Sequence, residues 1–168
     1  MREFINATDL DLAPAWICRR LELFDTTSLR LHLKRHRRKD QFFSGYCRYS
    51  DYLTVAAIHE ELPVPFRLVR PVGSRKNRRC RRGFEYLWDE MPVVTPDQAL
   101  VWVAGHECYH YLCKTRQLRG NWETRANRFG FDWLRVFARE HTEQLSFFEK
   151  LSASRYVRPS GALRTVYG

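Results

Sequence analysis

The spacing of hydrophobic and polar positions predicts a helix and then three strands in the first third of the chain. Apolar residues recur at helical spacing from about residue 14 to residue 24, with Pro14 in the first turn. Leu29, Leu31 and Leu33 alternate with basic residues, which is typical of a half-exposed strand. A second strand is predicted at 46–49, and the apolar run 52–58 suits the centre of a sheet. These elements predict a helix followed by a small three-stranded meander.

The next segment, about 63–92, is predicted to be an inserted hairpin with a basic tip. Residues 66–70 and 84–88 have strand character and can pair across the residues between them. Two interpretations of the tip stay open, contact with the phosphate backbone of a nucleic acid or a solvated loop. The residues concerned are Arg75, Lys76, Arg78, Arg79, Arg81 and Arg82.

The sequence after this hairpin predicts a well-capped, buried helix. Thr95 can cap it, Pro96 suits the first helical position, and Gln98 completes a capping box three residues after the cap. The residues that follow are apolar almost all round the helix, so we expect it to lie at the centre of a domain.

This buried helix carries a His-Glu-x-x-His motif. His106 and His110 are four residues apart, so their imidazoles lie on one face of the helix and can bind one ion. Glu107 is the next residue round the helix and can reach a water molecule without binding the ion itself. The spacing predicts one zinc ion, with Glu107 as the general base for a zinc-activated water.

A zinc site of this kind needs a third protein ligand, and the following helix offers one. Apolar residues repeat at helical spacing from 122 to about 139, and Asn121 can cap this helix. Glu123 lies in its first turn, thirteen residues after His110, which allows a turn and an antiparallel return. Asn127 is one turn further on, where we expect it to hydrogen-bond the second ring nitrogen of a ligating histidine.

The segment Glu123-Thr124-Arg125-Ala126-Asn127, followed by Phe129, resembles the downstream motif of gluzincins, in particular the ImmA/IrrE-like metallopeptidases. The resemblance covers about 95–137, and the preceding helix and strands look like the first half of the same minimal zincin fold. SprT-like proteases share that layout and a strand pattern similar to Gly45-Tyr46.

This resemblance implies a zincin-like α+β fold in which His106, His110 and Glu123 bind zinc and Glu107 is the general base. It also implies that a strand beside the metal helix binds the substrate peptide by adding it to the sheet. The strand that begins near Tyr52 is the expected counterpart, with Tyr52, Leu53, Thr54, Val55 and Ala56 as its substrate edge.

Length and composition set the wider expectations. The 168 residues suit one domain over 1–151, with a last short helix at 141–151 and a basic tail of uncertain order over 152–168. Five cysteines without a Cys-x-x-Cys pair argue against a disulfide framework and a zinc ribbon. No apolar run approaches about 18 residues, so we expect no membrane association and a cytoplasmic protein, or a nuclear one in a eukaryote.

The expected partners are a peptide or protein substrate and, because of the net charge, a nucleic acid. The net charge of +10 suggests DNA or RNA, although it also simply favours solubility. The expected function is a zinc-dependent metallopeptidase that basic segments bring to nucleic acid. The alternative is a non-catalytic nucleic-acid-binding or regulatory interaction protein whose zinc site is structural or degenerate. A fourth protein ligand such as a cysteine would favour this alternative.

Overall fold

Two sheets and three helices make up the part of the chain that the structure describes, residues 1–38, 40–76 and 83–141 of a computed structural model. The predicted helix at 141–151 and the tail at 152–168 lie outside these residues, apart from His141. No helix in the described ranges is long and apolar enough to cross a membrane. The elements in chain order are β1 (Glu3–Ala7), α1 (Leu12–Leu21), β2 (Arg30–His36), β3 (Phe43–Arg48), β4 (Leu53–His59), β5 (Phe66–Lys76), β6 (Phe84–Val93), α2 (Pro96–Lys114) and α3 (Glu123–Glu140).

The main sheet has four strands in the order β1-β2-β4-β3. β1 pairs parallel with β2, β2 pairs parallel with β4, and β3 pairs antiparallel with β4. The fold is therefore α+β as predicted, but the three-stranded meander is wrong. The turn after Arg48 joins β3 and β4 as a hairpin, whereas β4, buried on both faces, lies inside the sheet with β2 parallel to it on the other side. β1 was missed because it is short and mostly exposed, without the alternation that identifies a strand.

The strand expected to bind the substrate is an interior strand, which is a second correction. β4 is hydrogen-bonded to β2 on one side and to β3 on the other, so it has no free edge. Its continuous apolar run marked a strand buried on both faces, and such strands lie inside a sheet. β3 is the edge strand on the side of α2. The residues to which the correction applies are Tyr52, just before β4, and Leu53, Thr54, Val55 and Ala56 within it.

The predicted hairpin is confirmed and is longer than the sequence suggested. β5 and β6 pair antiparallel along their whole length, with a register irregularity between Pro71 and Gly73. Arg75 and Lys76 lie at the end of β5, and Nε of Arg75 donates to Oε2 of Glu85 at 2.8 Å. Residues 77–82 lie outside the described ranges, including Arg78, Arg79, Arg81 and Arg82 of the predicted nucleic-acid contact.

Helix α2 forms the centre of the core, as its apolar sequence predicted. Nearly every residue from Gln98 to Leu112 is buried, and the helix packs against α3, α1, β3 and β4. The predicted cap is present, because Oγ1 of Thr95 accepts a hydrogen bond from the Gln98 amide at 3.2 Å. Asp97 accepts a bond from the Ala13 amide at 2.9 Å, which joins the first turns of α1 and α2.

Helices α2 and α3 cross in backbone contact at two glycines. A Cβ atom placed on Gly105 would lie 3.2 Å from Cα of Gly130, and one placed on Gly130 would lie 2.8 Å from the Trp102 carbonyl oxygen. Side chains at these positions would force the helices apart. Since Glu123 begins α3 two turns before Gly130, this crossing sets how closely Glu123 approaches α2.

We predict that Gly130→Ala destabilises the protein, although alanine is intrinsically favoured in a helix by about 1 kcal/mol. The clash with the Trp102 carbonyl should lower the free energy of unfolding by roughly 1–3 kcal/mol, measured by urea denaturation. Arg128→Ala, at an exposed position of the same helix, should change it by no more than about 0.5 kcal/mol. A stabilised Gly130→Ala protein would show that the crossing is looser than described.

Candidate metal centre

The side chains of His106, His110 and Glu123 converge in a cluster that we call the ligand triangle, in which each carboxylate oxygen of Glu123 faces one histidine. The Nε2 atoms of His106 and His110 are 3.3 Å apart. Oε2 of Glu123 is 3.3 Å from His106 Nε2, and its Oε1 is 3.4 Å from His110 Nε2. Ligands held about 2.05 Å from a tetrahedral zinc ion are about 3.3 Å from one another. The three side chains can therefore hold one metal ion, no fourth histidine, cysteine or carboxylate joins them among the described residues, and the predicted ligand set is brought together.

The loop between the two helices brings Glu123 back towards the histidines. Gly120 has a φ of 78°, a left-handed conformation that glycine adopts without strain. The hydroxyl of Tyr109, on α2, donates to the carbonyl oxygens of Arg119 at 3.1 Å and Gly120 at 2.7 Å. This buried tyrosine thus fastens the loop to the helix one residue before His110.

Asn121 orients His110, a role that the sequence analysis did not assign to it. Nδ1 of His110 donates to Oδ1 of Asn121 at 2.6 Å, and Nδ2 of Asn121 donates to the Tyr49 hydroxyl at 2.9 Å. A proton on Nδ1 leaves the lone pair of Nε2 directed at the ligand triangle. Asn121 was expected to cap α3, but Trp122 occupies the N-cap position without a side-chain cap.

Asn127, the predicted partner of a ligating histidine, lies beside His106 but serves mainly to join α3 to β5. Its Nδ2 donates to the Pro71 carbonyl at 2.8 Å, next to the irregularity in β5. Burial lowers the pKa of His106, and Asn127 offsets this shift only in part because it favours the protonated form. Nδ1 of His106 nevertheless has no hydrogen bond of ordinary geometry among the described residues. The expected bond to a ligating histidine is made by Asn121.

Burial determines the protonation of His106 and Glu107. It lowers the pKa of His106 to about 4, with the neighbouring His110 adding to the effect, so the imidazole is neutral at pH 7 and able to bind a metal. Burial also raises the pKa of Glu107 to about 8, and the nearby Glu123 carboxylate contributes. A cation held by the triangle would favour the ionised form of Glu107 and lower this pKa.

Glu107 lies directly against the backbone of β3, at a position where only glycine leaves room. A Cβ atom on Gly45 would lie 2.6 Å from Cγ and 2.7 Å from Cδ of Glu107. The carboxylate is thus held between α2 and the edge strand, close to the ligand triangle but not part of it. The sequence pointed to Gly45-Tyr46 only through its likeness to a strand of SprT-like proteases, and this approach of Glu107 was not predicted.

The ligand triangle and Glu107 line an open cleft of about 290 Å³, whose other wall is β3 and the turn after it. Tyr46 is among the residues that line this cleft. Tyr52 and His59 are not among them: the Tyr52 ring packs against Tyr111 with ring centres 6.0 Å apart, and the His59 ring packs against His36 with ring centres 5.5 Å apart. The full lining is Gly45, Tyr46, Cys47, Tyr49, His106, Glu107, His110 and Glu123. Sequence reasoning missed Tyr49, which carries no motif of its own.

Cysteines do not complete the metal centre in the described residues. Cys108 is fully buried in the hydrophobic core. Cys47 lines the cleft, but its thiol is not among the ligand atoms that lie within 4.8 Å of one another.

Comparison of the chain with protein-family models, with curated proteins and with solved structures finds no match. The likeness of the Glu123 segment to ImmA/IrrE-like peptidases therefore stays a prediction. The chemical interpretation of the cleft rests on the positions of its own side chains.

We predict that Asn121→Ala weakens zinc binding by about 10–100-fold, because His110 loses the group that fixes its tautomer and orientation. Tyr49→Phe should have a smaller effect, since it leaves the bond between Asn121 and His110 in place. Competition with a fluorescent zinc chelator measures both affinities, and urea denaturation verifies that the variants are folded. An Asn121→Ala protein that binds zinc as tightly as the wild type would contradict this role.

Proposed function

We propose that the protein is a zinc-dependent metallopeptidase. The observation that carries this proposal is the ligand triangle, in which the two histidine Nε2 atoms have the spacing of tetrahedral zinc ligands and face the two oxygens of Glu123, with the Glu107 carboxylate beside them. Structural zinc sites are closed by four protein ligands, whereas catalytic sites keep a position open. Among the described residues, no fourth histidine, cysteine or carboxylate joins the cluster, which favours the enzyme over a structural site.

Glu107 would act as general base. Bound zinc lowers the pKa of a water molecule towards about 7 and polarises a carbonyl group. Glu107 would accept a proton from that water and later pass it to the amine that leaves. Its place between α2 and β3 confines the carboxylate to the cleft while keeping it out of the ligand triangle.

We propose that the substrate peptide adds to β3, which replaces the interior strand β4 in this role. β3 is hydrogen-bonded to β4 on one side, and Gly45, Tyr46 and Cys47 line the cleft. A peptide extended along the free edge would bond to the backbone and bring one carbonyl group beside Glu107.

We predict that Glu107→Gln abolishes peptide hydrolysis and leaves zinc binding intact. Glutamine has the shape of glutamate but cannot accept the proton, so kcat should fall by at least about 100-fold. The measurements are cleavage of a proteome-derived peptide mixture followed by mass spectrometry, with metal analysis of both proteins. Unchanged cleavage by the zinc-loaded variant would rule out the assigned mechanism, and a wild-type protein without stoichiometric metal would end the whole proposal.

A second proposal is that the hairpin brings the protein to single-stranded nucleic acid. Phe84, Tyr86 and Trp88 alternate along β6 on one face, and their relative exposures are 68%, 56% and 63%. Lys76 pairs with Phe84 across the strands, so its side chain shares that face. Exposed aromatic rings offer surfaces for stacked bases, and cations beside them bind phosphates. The net charge of +10 supports this partner.

We predict that the protein binds a single-stranded oligonucleotide and that its affinity falls as salt rises. The double variant Arg75→Gln/Lys76→Gln should bind more weakly and with a reduced salt slope. The double variant Arg19→Gln/Arg20→Gln, which removes the same charge from α1, should change little. Fluorescence anisotropy measures both. Binding that does not respond to salt, or to the hairpin variant, would contradict recruitment by this segment.

A further inference from the structure

The metal-binding cleft continues into a second groove along β3. This groove has a volume of about 600 Å³ and shares Gly45 with the cleft that contains Glu107. Its other lining residues come from the segment that leads into β3, from β3 itself and from β5: Arg38, Asp40, Gln41, Phe42, Phe43, Ser44 and Arg70. An extended chain lying on the edge of β3 would therefore pass through both.

Arg70 is a basic residue of this groove whose guanidinium is partly buried against an aromatic ring. Its guanidinium carbon lies 5.6 Å from the centre of the Trp102 ring, and Nη1 donates to the Val69 carbonyl at 3.0 Å. Although much of the side chain is exposed, partial burial of the guanidinium lowers its pKa. The charge has therefore lost part of its hydration.

No carboxylate in the described residues compensates Arg70. The other two described arginines of β5 are both paired, Arg67 with Glu90 and Arg75 with Glu85. Arg70 makes no ion pair with any described residue, although Asp40 lines the same groove. Arg38 adds a second positive charge there, so the groove holds two arginines and one aspartate. A partly dehydrated charge without a partner favours binding of an anionic group.

The walls of the groove would strengthen such an interaction. Phe43 packs on the Trp102 ring at 5.4 Å, and Phe42 is half-exposed beside Phe66, with ring centres 6.4 Å apart. These rings reduce access of water around Arg70. An ion pair formed in such surroundings is screened less than one at an open surface.

The distance between Arg70 and the ligand triangle allows Arg70 to contact a substrate side chain close to the cleaved bond. Trp102 precedes His106 by one helical turn, which is about 6 Å along α2. Phe42 precedes Gly45 by three residues, which is about 10 Å along an extended strand. A peptide on β3 with a carbonyl group beside Glu107 would therefore place a side chain two or three residues away near Arg70.

We propose that Arg70 forms a carboxylate-binding subsite, so that the protein selects peptides with aspartate or glutamate two or three residues from the bond it cleaves. This inference rests on the proposed peptidase function and on β3 as the substrate strand. Arg70 determines specificity here and takes no part in the chemical step.

The test captures peptides without cleaving them. The zinc-loaded Glu107→Gln protein is immobilised and presented with a random decapeptide library, and bound peptides are sequenced. We expect aspartate and glutamate to be enriched about tenfold over their capture by the same protein carrying Arg70→Gln, the range of a charge-assisted hydrogen bond. Arg70→Glu should reverse the preference towards lysine and arginine.

Arg67 provides the matched control. It lies on the same strand, but three residues away, so its side chain points to the opposite face of the hairpin. Arg67→Gln and Arg67→Glu change the net charge by the same amounts and should leave the acidic enrichment unchanged. Any general attraction of a basic protein for acidic peptides is thereby separated from the subsite. Equal enrichment in the Arg70→Gln and Arg67→Gln proteins, or none with wild-type Arg70, would overturn the proposal.

Cleavage by the protein with Glu107 intact separates this inference from the proposed function. Cleavage of library peptides without an acidic preference at a fixed distance from the cut would refute the subsite and leave the peptidase. Selective capture of acidic peptides that are never cut would refute the peptidase and leave the anion-binding site.

Discussion

The close crossing of α2 and α3 is the contact on which the rest of the structure depends. Because Gly105 and Gly130 allow the two helix backbones to touch, the start of α3 lies within reach of both histidines of α2. A wider crossing would move the Glu123 carboxylate away and leave only a histidine pair. The capacity of this site to hold a metal ion thus depends on helix packing as much as on the His-Glu-x-x-His motif.

The sheet forms the other wall of the cleft, and here the close contact is between a side chain and the backbone of a strand. α2 lies against β3 and β4, and a single glycine on the edge strand lets Glu107 approach the backbone. Under the proposed function, the backbone of β3 would pair with an extended peptide of almost any sequence. Selectivity would then come from the side chains of the second groove, which include Arg70 of β5 and the aromatic rings of Phe42 and Phe43.

Residues whose role depends on local spacing were predicted from the sequence. The cap at Thr95, the burial of α2 and the convergence of His106, His110 and Glu123 all follow from intervals of three to thirteen residues, and the structure has them. Pairing between distant strands was not predictable in this way. The apolar run of β4 indicated burial but not which strands would flank it, and β1 joins the sheet only through its parallel partner β2. Tyr49 was missed because 72 residues separate it from its partner Asn121.

The amide of Asn121 has a consequence for how the site responds to movement. Its oxygen accepts a bond from His110 on α2, while its nitrogen donates to Tyr49, the residue that follows β3. The position of the His110 imidazole thus depends on the sheet as well as on its own helix. A slip of the helix along the sheet by much less than one residue would break one of the two bonds. The orientation of His110 therefore changes when α2 moves relative to the sheet. A ligand that shifts the end of β3 would alter the ligand triangle through the Asn121 side chain.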